Sequence, residues 1–166
     1  MLAWDKRAVE EANLFNPAFC GALIVKAVED FGKKATQGFS FPLTFLVLPI
    51  VLHRGTREAL PGSTITSLLP WLQDNRHQLV DFPDRVRRLK SITQEAIMFS
   101  ISHDVLAVAP DGSLHIGRTK IPVTERSTES FTRETRECID RARFLGRWLA
   151  TAGTTVTIMA SWGVAP

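Results

Sequence analysis

The sequence predicts a mainly α-helical, α+β single domain over residues 1–166, with a winged-helix-like centre and a long C-terminal helix. Apolar residues recur every three to four positions over residues 18–31 and 131–152, which is helical spacing. A Pro-Asp-Gly sequence at 110–112 separates two short apolar runs, which is typical of a β-hairpin. A chain of 166 residues with 45% hydrophobic content suits one domain with one core.

The first predicted element is a central helix. Asn16 can cap its free amides and Pro17 supplies the φ of a first turn, so the helix should run to about Phe31. Residues 43–52 follow, and their β-branched side chains suit a strand whereas their leucines suit a buried helix kinked at Pro49. Helix is the preferred interpretation, with strand left open.

Residues 63–120 have the element order of a winged helix. A short helix that Ser63 or Thr64 caps should end near Asp74, and Asp81 should cap a longer helix. The hairpin over 105–116 completes the order, and in such modules the second helix enters the major groove of DNA.

Towards the C-terminus, residues 118–130 are predicted to form a polar loop. The long helix after it should stop at Gly153, because glycine is the usual residue just past a helix end. Residues 155–162 suit a short helix or a strand equally well.

The net charge of +3 neither demands nor excludes a nucleic-acid partner. Whether the chain could bind nucleic acid therefore depends on where its cations cluster. Those of the second helix and those just after the hairpin are candidate phosphate contacts. They are Arg85, Arg87, Arg88, Lys90, Arg118 and Lys120. The alternative is a solvated surface with ion pairs, since Asp81 and Asp84 share the face of Arg85 and Arg88.

No recognisable active site is present in the sequence. The four histidines lack metal-ligand spacing, and no nucleophile elbow or phosphate loop occurs. Cys20 and Cys138 are predicted to be buried, reduced thiols. We therefore expect no catalytic, cofactor-binding or metal-binding residues, no cofactor and no small-molecule substrate. An enzyme with a pocket lined by His53, His103 or His115 is the remaining alternative.

Targeting signals are also absent from the sequence. The N-terminus lacks the apolar core of a signal peptide, and prolines interrupt the longest apolar run, residues 39–52. We expect a cytoplasmic protein with no membrane partner.

Four segments together resemble a known family, the middle component of bacterial three-component ABC (ABC-3C) systems. They are EEANLFNPAF at 10–19, FPLTFLVLPIVLH at 41–53, RGTREALP at 54–61 and IMASWGVAP at 158–166. The resemblance implies a non-enzymatic adaptor that couples an ABC-type ATPase to an effector in a bacterial conflict or anti-phage defence system. It supplies no catalytic residues, and DNA would be reached through the complex. A winged-helix DNA-binding protein is the rival interpretation.

Four residues are candidate contacts to the partner proteins. Arg54 and Arg57 follow the apolar run, and guanidiniums bind carboxylates in a bidentate manner. Trp148 lies off the apolar seam of the last long helix and Trp162 lies in the tail, and aromatic residues dominate binding hot spots. The alternatives are a solvated connector for the arginines and core packing for the tryptophans.

Overall fold

The computed structural model describes residues 15–121 and 131–165, where the predicted mainly helical fold is confirmed. The helices are α1 (Pro17–Gly32), α2 (Thr44–Val51), α3 (Arg54–Ala59), α4 (Leu68–Asp74), α5 (Phe82–Ser102), α6 (Arg133–Leu149) and α7 (Thr155–Ser161). Two 3-10 helices, Phe41–Leu43 and Arg76–Leu79, precede α2 and α5. Strands β1 (Leu106–Val108) and β2 (Leu114–Ile116) pair in antiparallel fashion. Residues 10–14 of the family-like segments, Pro166, and residues 122–130 of the predicted loop lie outside the described residues.

Helix α1 is the centre of the fold, as its apolar sequence predicts. Asn16 Oδ1 accepts a hydrogen bond from the Ala18 amide at 2.8 Å, which confirms the predicted cap. The helix packs against α5 and, more extensively, against α6. The contact with α6 is a backbone-to-backbone approach, because a Cβ on Gly146 would lie 2.1 Å from the Ala27 carbonyl oxygen.

Residues 44–51 form a helix rather than a strand. The Thr44 hydroxyl donates to the Phe41 carbonyl at 2.6 Å, so the turn that carries Pro42 leads directly into α2. Pro49 is accommodated inside this helix, whose side chains are almost all buried against α1, α5 and α6.

The helix–helix–hairpin order of residues 63–120 is confirmed, but two predicted caps need correction. Helix α4 begins after Ser67 instead of at Ser63 or Thr64, because residues 63–66 form a turn. Asp81 precedes α5 as predicted, yet its φ is +56° and its side chain accepts no hydrogen bond from the helix amides.

The hairpin is anchored to the segment that connects α1 with α2. Phe39 exchanges two backbone hydrogen bonds with Leu114, at 2.8 and 3.0 Å, so β2 is flanked by β1 and by Phe39. Strand β2 also contacts α1. This additional bridge joins residues far apart in sequence, and no local pattern predicts it.

The C-terminal elements are both helices. Helix α6 confirms the predicted long helix but ends at Leu149, before the predicted stop at Gly153. Its N-cap is Thr132, whose Oγ1 accepts from the Thr135 amide. The open choice for the tail is settled as helix α7, since Thr154 Oγ1 accepts from the Thr157 amide at 3.2 Å. Within residues 15–121 and 131–165, no helix has both the length and the apolar content needed to cross a bilayer.

Candidate functional site

A groove with cations above an apolar floor lies where the end of α2 meets the first half of α5. Its volume is about 390 Å³, and we call it the cationic groove. Its lining residues are Phe15, Leu52, His53, Arg85, Arg88, Leu89 and Ile92. The groove therefore presents two guanidiniums and an imidazole beside aliphatic and aromatic carbon.

Arg85 is held in this groove by the backbone of α2 and by α3. Its Nη1 donates to the Pro49 carbonyl at 3.2 Å and to Thr56 Oγ1 at 3.0 Å. The Pro49 carbonyl is free to accept from Arg85 because α2 ends near it, and the last carbonyls of a helix have no partner within the helix. Burial lowers the pKa of Arg85, and the neighbouring Arg88 lowers it further while Asp81 acts in the opposite direction. Arg85 is thus a partly desolvated cation next to a second cation.

His53 joins the same network as the N-cap of α3. Its Nδ1 lies 2.8 Å from Thr56 Oγ1 and accepts a hydrogen bond from the Thr56 amide at 3.2 Å. Because the amide can only donate, Nδ1 must carry a lone pair, and the Thr56 hydroxyl then donates to it while accepting from Arg85. Burial lowers the pKa of His53, as do the nearby charges of Arg85 and Arg57. The geometry and the electrostatics both favour neutral imidazole.

We expect the protein to lose stability on acidification because of His53. A pKa lowered from the ordinary value of 6.5 means that the unfolded chain binds the proton more readily, so the stabilising contribution is complete above that value and is lost as pH falls below it. His53→Asn keeps an N-cap acceptor without a titrating group. Urea unfolding from neutral pH to about pH 5 should show a shallower loss of stability in the variant. Equal slopes in both proteins would contradict the proposed role of the imidazole.

The structure corrects the docking role that was predicted for Arg57. Its side chain is 2% exposed, with Nη1 donating to the Val51 carbonyl and Nη2 donating to Glu134 Oε1, each at 2.9 Å. It therefore fastens α3 to the ends of α2 and α6 instead of facing a partner. Arg54 is exposed and pairs with Glu58 at 2.8 Å, so its predicted contact stays a prediction.

Trp148 and Trp162 are candidate interface anchors in the sequence, with core packing as the alternative, and the structure places both in the core. They are 1% and 0% exposed. Trp71 lies against both, with ring centroids 5.4 Å from Trp148 and 6.0 Å from Trp162, and Phe82 stacks on Trp162 at 4.5 Å. The Trp148 indole donates to the Thr66 carbonyl at 2.6 Å. The two tryptophans lie in the core because α4 and the turn before it cover them.

The six candidate nucleic-acid contacts do not form one patch. Arg85 and Arg88 line the cationic groove, whereas Arg87 and Lys90 line a different groove described below. Arg87 pairs with Asp84. Arg118 pairs with Asp104 at 2.7 Å, and Lys120 is exposed. Their contact with DNA stays a prediction.

A second surface is centred on an aromatic side chain, Phe41, which belongs to the longest apolar run of the sequence. Phe41 is 42% exposed and packs edge-to-face on Phe45 with centroids 5.5 Å apart. We call Phe41 and Pro42 the Phe41 ridge, because both residues line two open grooves of about 640 and 470 Å³. Phe31, Leu43, Leu149 and Ile158 contribute to the larger groove, and Phe45, Val86, Met159 and Val164 to the smaller. The aromatic-proline pair right after a polar stretch is the sequence signal for this ridge.

His103 and His115 each lie within hydrogen-bonding distance of a nearby residue, and both cysteines are buried. His103 Nδ1 lies 2.8 Å from the Phe99 carbonyl oxygen, and His115 Nε2 lies 3.0 Å from Ser113 Oγ. Cys20 and Cys138 are buried, as predicted. Burial raises the pKa of Cys20 to about 12, with a smaller contribution from Glu95, and burial also raises the pKa of Cys138. In the part of the chain that is described, no three histidine, cysteine or acidic side chains gather as a metal site.

Comparison with known proteins gives one match. The chain matches, over residues 4–166, the family described as ABC-three component (ABC-3C) system Middle Component 3. Neither the curated proteins nor the solved structures gave a match. The match spans nearly the whole chain, and it confirms the resemblance of the four sequence segments. The chain belongs to the Middle Component 3 family of ABC-3C systems.

Proposed function

We propose that this chain is a non-enzymatic, cytoplasmic adaptor that binds the ABC-type ATPase and the effector of its system in bacterial anti-phage defence. Membership of a family of middle components supports the proposal, because a component of such a system has partner components to contact. The observation that carries the proposal is the Phe41 ridge, an exposed aromatic side chain between two apolar grooves. Buried aromatic anchors that fill partner pockets supply much of the binding free energy of protein interfaces.

The ridge is also rigid before binding. Phe41 lies in a 3-10 turn beside Pro42, and its carbonyl accepts from the Thr44 hydroxyl. The ring rests on Phe45. A preformed anchor loses little conformational entropy when a partner covers it, so more of the buried apolar area appears as affinity.

We expect Phe41→Ala to weaken binding of one partner component by about 2 kcal/mol, which is roughly thirtyfold in Kd. The tagged full chain would be co-expressed with the ATPase and the effector encoded beside it, copurified, and titrated against each component. Ile65→Ala is the control, since Ile65 is 90% exposed and lines neither groove of the ridge. Unchanged affinity of the Phe41 variant for both components would exclude the ridge, and failure to bind either component would overturn the adaptor function.

A further inference from the structure

We infer that the cationic groove binds an acidic segment of one partner component, in which carboxylates lie beside an aliphatic or aromatic side chain. The inference rests on the proposed function, since it assigns the adaptor a second docking surface and the chemistry of what binds there. Two features of the groove carry it: two guanidiniums that form no ion pair with any residue of 15–121 and 131–165, and an apolar floor beside them.

The positive charge of the groove is only partly compensated by the described residues, among which Asp81 acts on Arg85 without forming an ion pair with it. Arg88 is exposed, and none of residues 15–121 and 131–165 forms an ion pair or hydrogen bond with it. Arg85 uses Nη1 on neutral oxygens, which leaves its other N–H groups for a ligand. Burial and, to a smaller extent, the charge of Arg88 lower the pKa of Arg85, and a carboxylate placed between the two guanidiniums would offset that repulsion.

Arg85 is also oriented for such a ligand. Its hydrogen bonds to Pro49 and Thr56 fix the plane of the guanidinium. The guanidinium carbon, Cζ, lies 5.5 Å from the centre of the Phe82 ring. Guanidiniums that are held in place bind carboxylates through paired hydrogen bonds at a small entropic cost. Arg88 can adapt to the bound group because its side chain is free in solvent.

The apolar floor favours a peptide over a nucleic-acid backbone. Phe15, Leu52, Leu89 and Ile92 lie beside the cations, and a peptide can cover them with an aliphatic or aromatic residue. A phosphate backbone satisfies the arginines but leaves such a floor in contact with water. The volume of about 390 Å³ suits a few side chains.

Charge reversal at Arg88 tests the inference. The tagged full chain carrying Arg88→Glu should bind one component at least about tenfold more weakly and bind the other unchanged. Arg76→Glu is the matched control, because Arg76 is exposed and lines none of the grooves described above. Added salt should weaken wild-type binding to that component and have less effect on the Arg88 variant. Equal thermal melting of the two variants would show that both fold.

Overlapping synthetic peptides that cover the sensitive component identify the occupant. The expected binding peptide contains aspartate or glutamate next to an apolar residue, and replacing its acids by amides should abolish Arg88-dependent binding. Binding only by neutral or basic peptides would overturn the inference. So would an Arg88-dependent retardation of duplex DNA, or an Arg88-dependent change of oligomeric state, with component affinities unchanged.

Failure of this inference is distinguishable from failure of the proposed function. If both components bind and Arg88→Glu behaves like Arg76→Glu, the adaptor function stands and the groove has no acidic partner. If the wild-type chain binds neither component, both conclusions are overturned.

Discussion

Gly146→Ala is expected to destabilise the protein by about 3 kcal/mol or more, because α1 and α6 touch at this glycine. The new Cβ would lie 2.1 Å from the carbonyl oxygen of Ala27 and 2.9 Å from its carbonyl carbon. Both atoms belong to the backbone of α1, so no side-chain rotation can relieve the overlap. The two helices must separate, and they form the most extensive helix pair among the described elements.

Urea unfolding followed by circular dichroism measures this effect. Gly32→Ala is the matched control, because a Cβ on Gly32, the last residue of α1, would meet no atom within 4 Å. The control should leave stability unchanged or raise it by up to about 1 kcal/mol, since alanine restricts the unfolded chain more than glycine does. Equal unfolding midpoints for the Gly146 variant and wild type would contradict the close approach of α1 and α6.

Truncating either buried tryptophan is expected to have a similarly large effect. Trp148→Ala and Trp162→Ala should each cost about 3–5 kcal/mol, because each leaves a large cavity beside Trp71. Phenylalanine substitutions separate packing from hydrogen bonding. Trp148→Phe removes the indole donor to the Thr66 carbonyl and should cost about 0.5–1.5 kcal/mol more than the lost apolar contact alone.

Trp162→Phe is the matched comparison. The Trp162 indole N–H is buried and finds no hydrogen-bond acceptor among the described residues, so its removal costs no bond. Urea unfolding should therefore rank the Trp148 phenylalanine variant below the Trp162 variant in stability. The reverse order, or alanine variants as stable as wild type, would show that these rings are not packed as described.

Patterns within single elements predicted much of the fold. Asn16-Pro17 marks the beginning of α1 because side-chain capping and a fixed proline φ act within three residues. Pro110-Asp111-Gly112 marks the hairpin because Gly112 adopts a positive φ of 79°, which glycine tolerates without strain. The leucine-rich segment with Pro49 was ambiguous in sequence, since a fully buried helix and a buried strand have the same apolar run.

The candidate surfaces were less predictable, because exposure depends on what other elements cover. Arg54 and Arg57 are three residues apart in one short helix, yet Arg54 is in solvent and Arg57 is enclosed by the ends of α2 and α6. In the sequence, Arg54 and Arg57 are equally good candidates for contacts to a partner. Only the packing of α6 assigns one arginine to the core and leaves the other outside.

The sequence by itself determined a mainly helical fold, because helix periodicity, caps and turns are short-range properties of the chain. The resemblance of four segments identified the middle-component family. The tertiary structure alone decided which side chains are available to partners. It buried Trp148 and Trp162, exposed Phe41 and brought Arg85 and Arg88 beside His53. The physical reason is that the burial of a side chain and the electrostatic potential around it depend on residues that are distant in sequence. Both are defined only once the helices have packed.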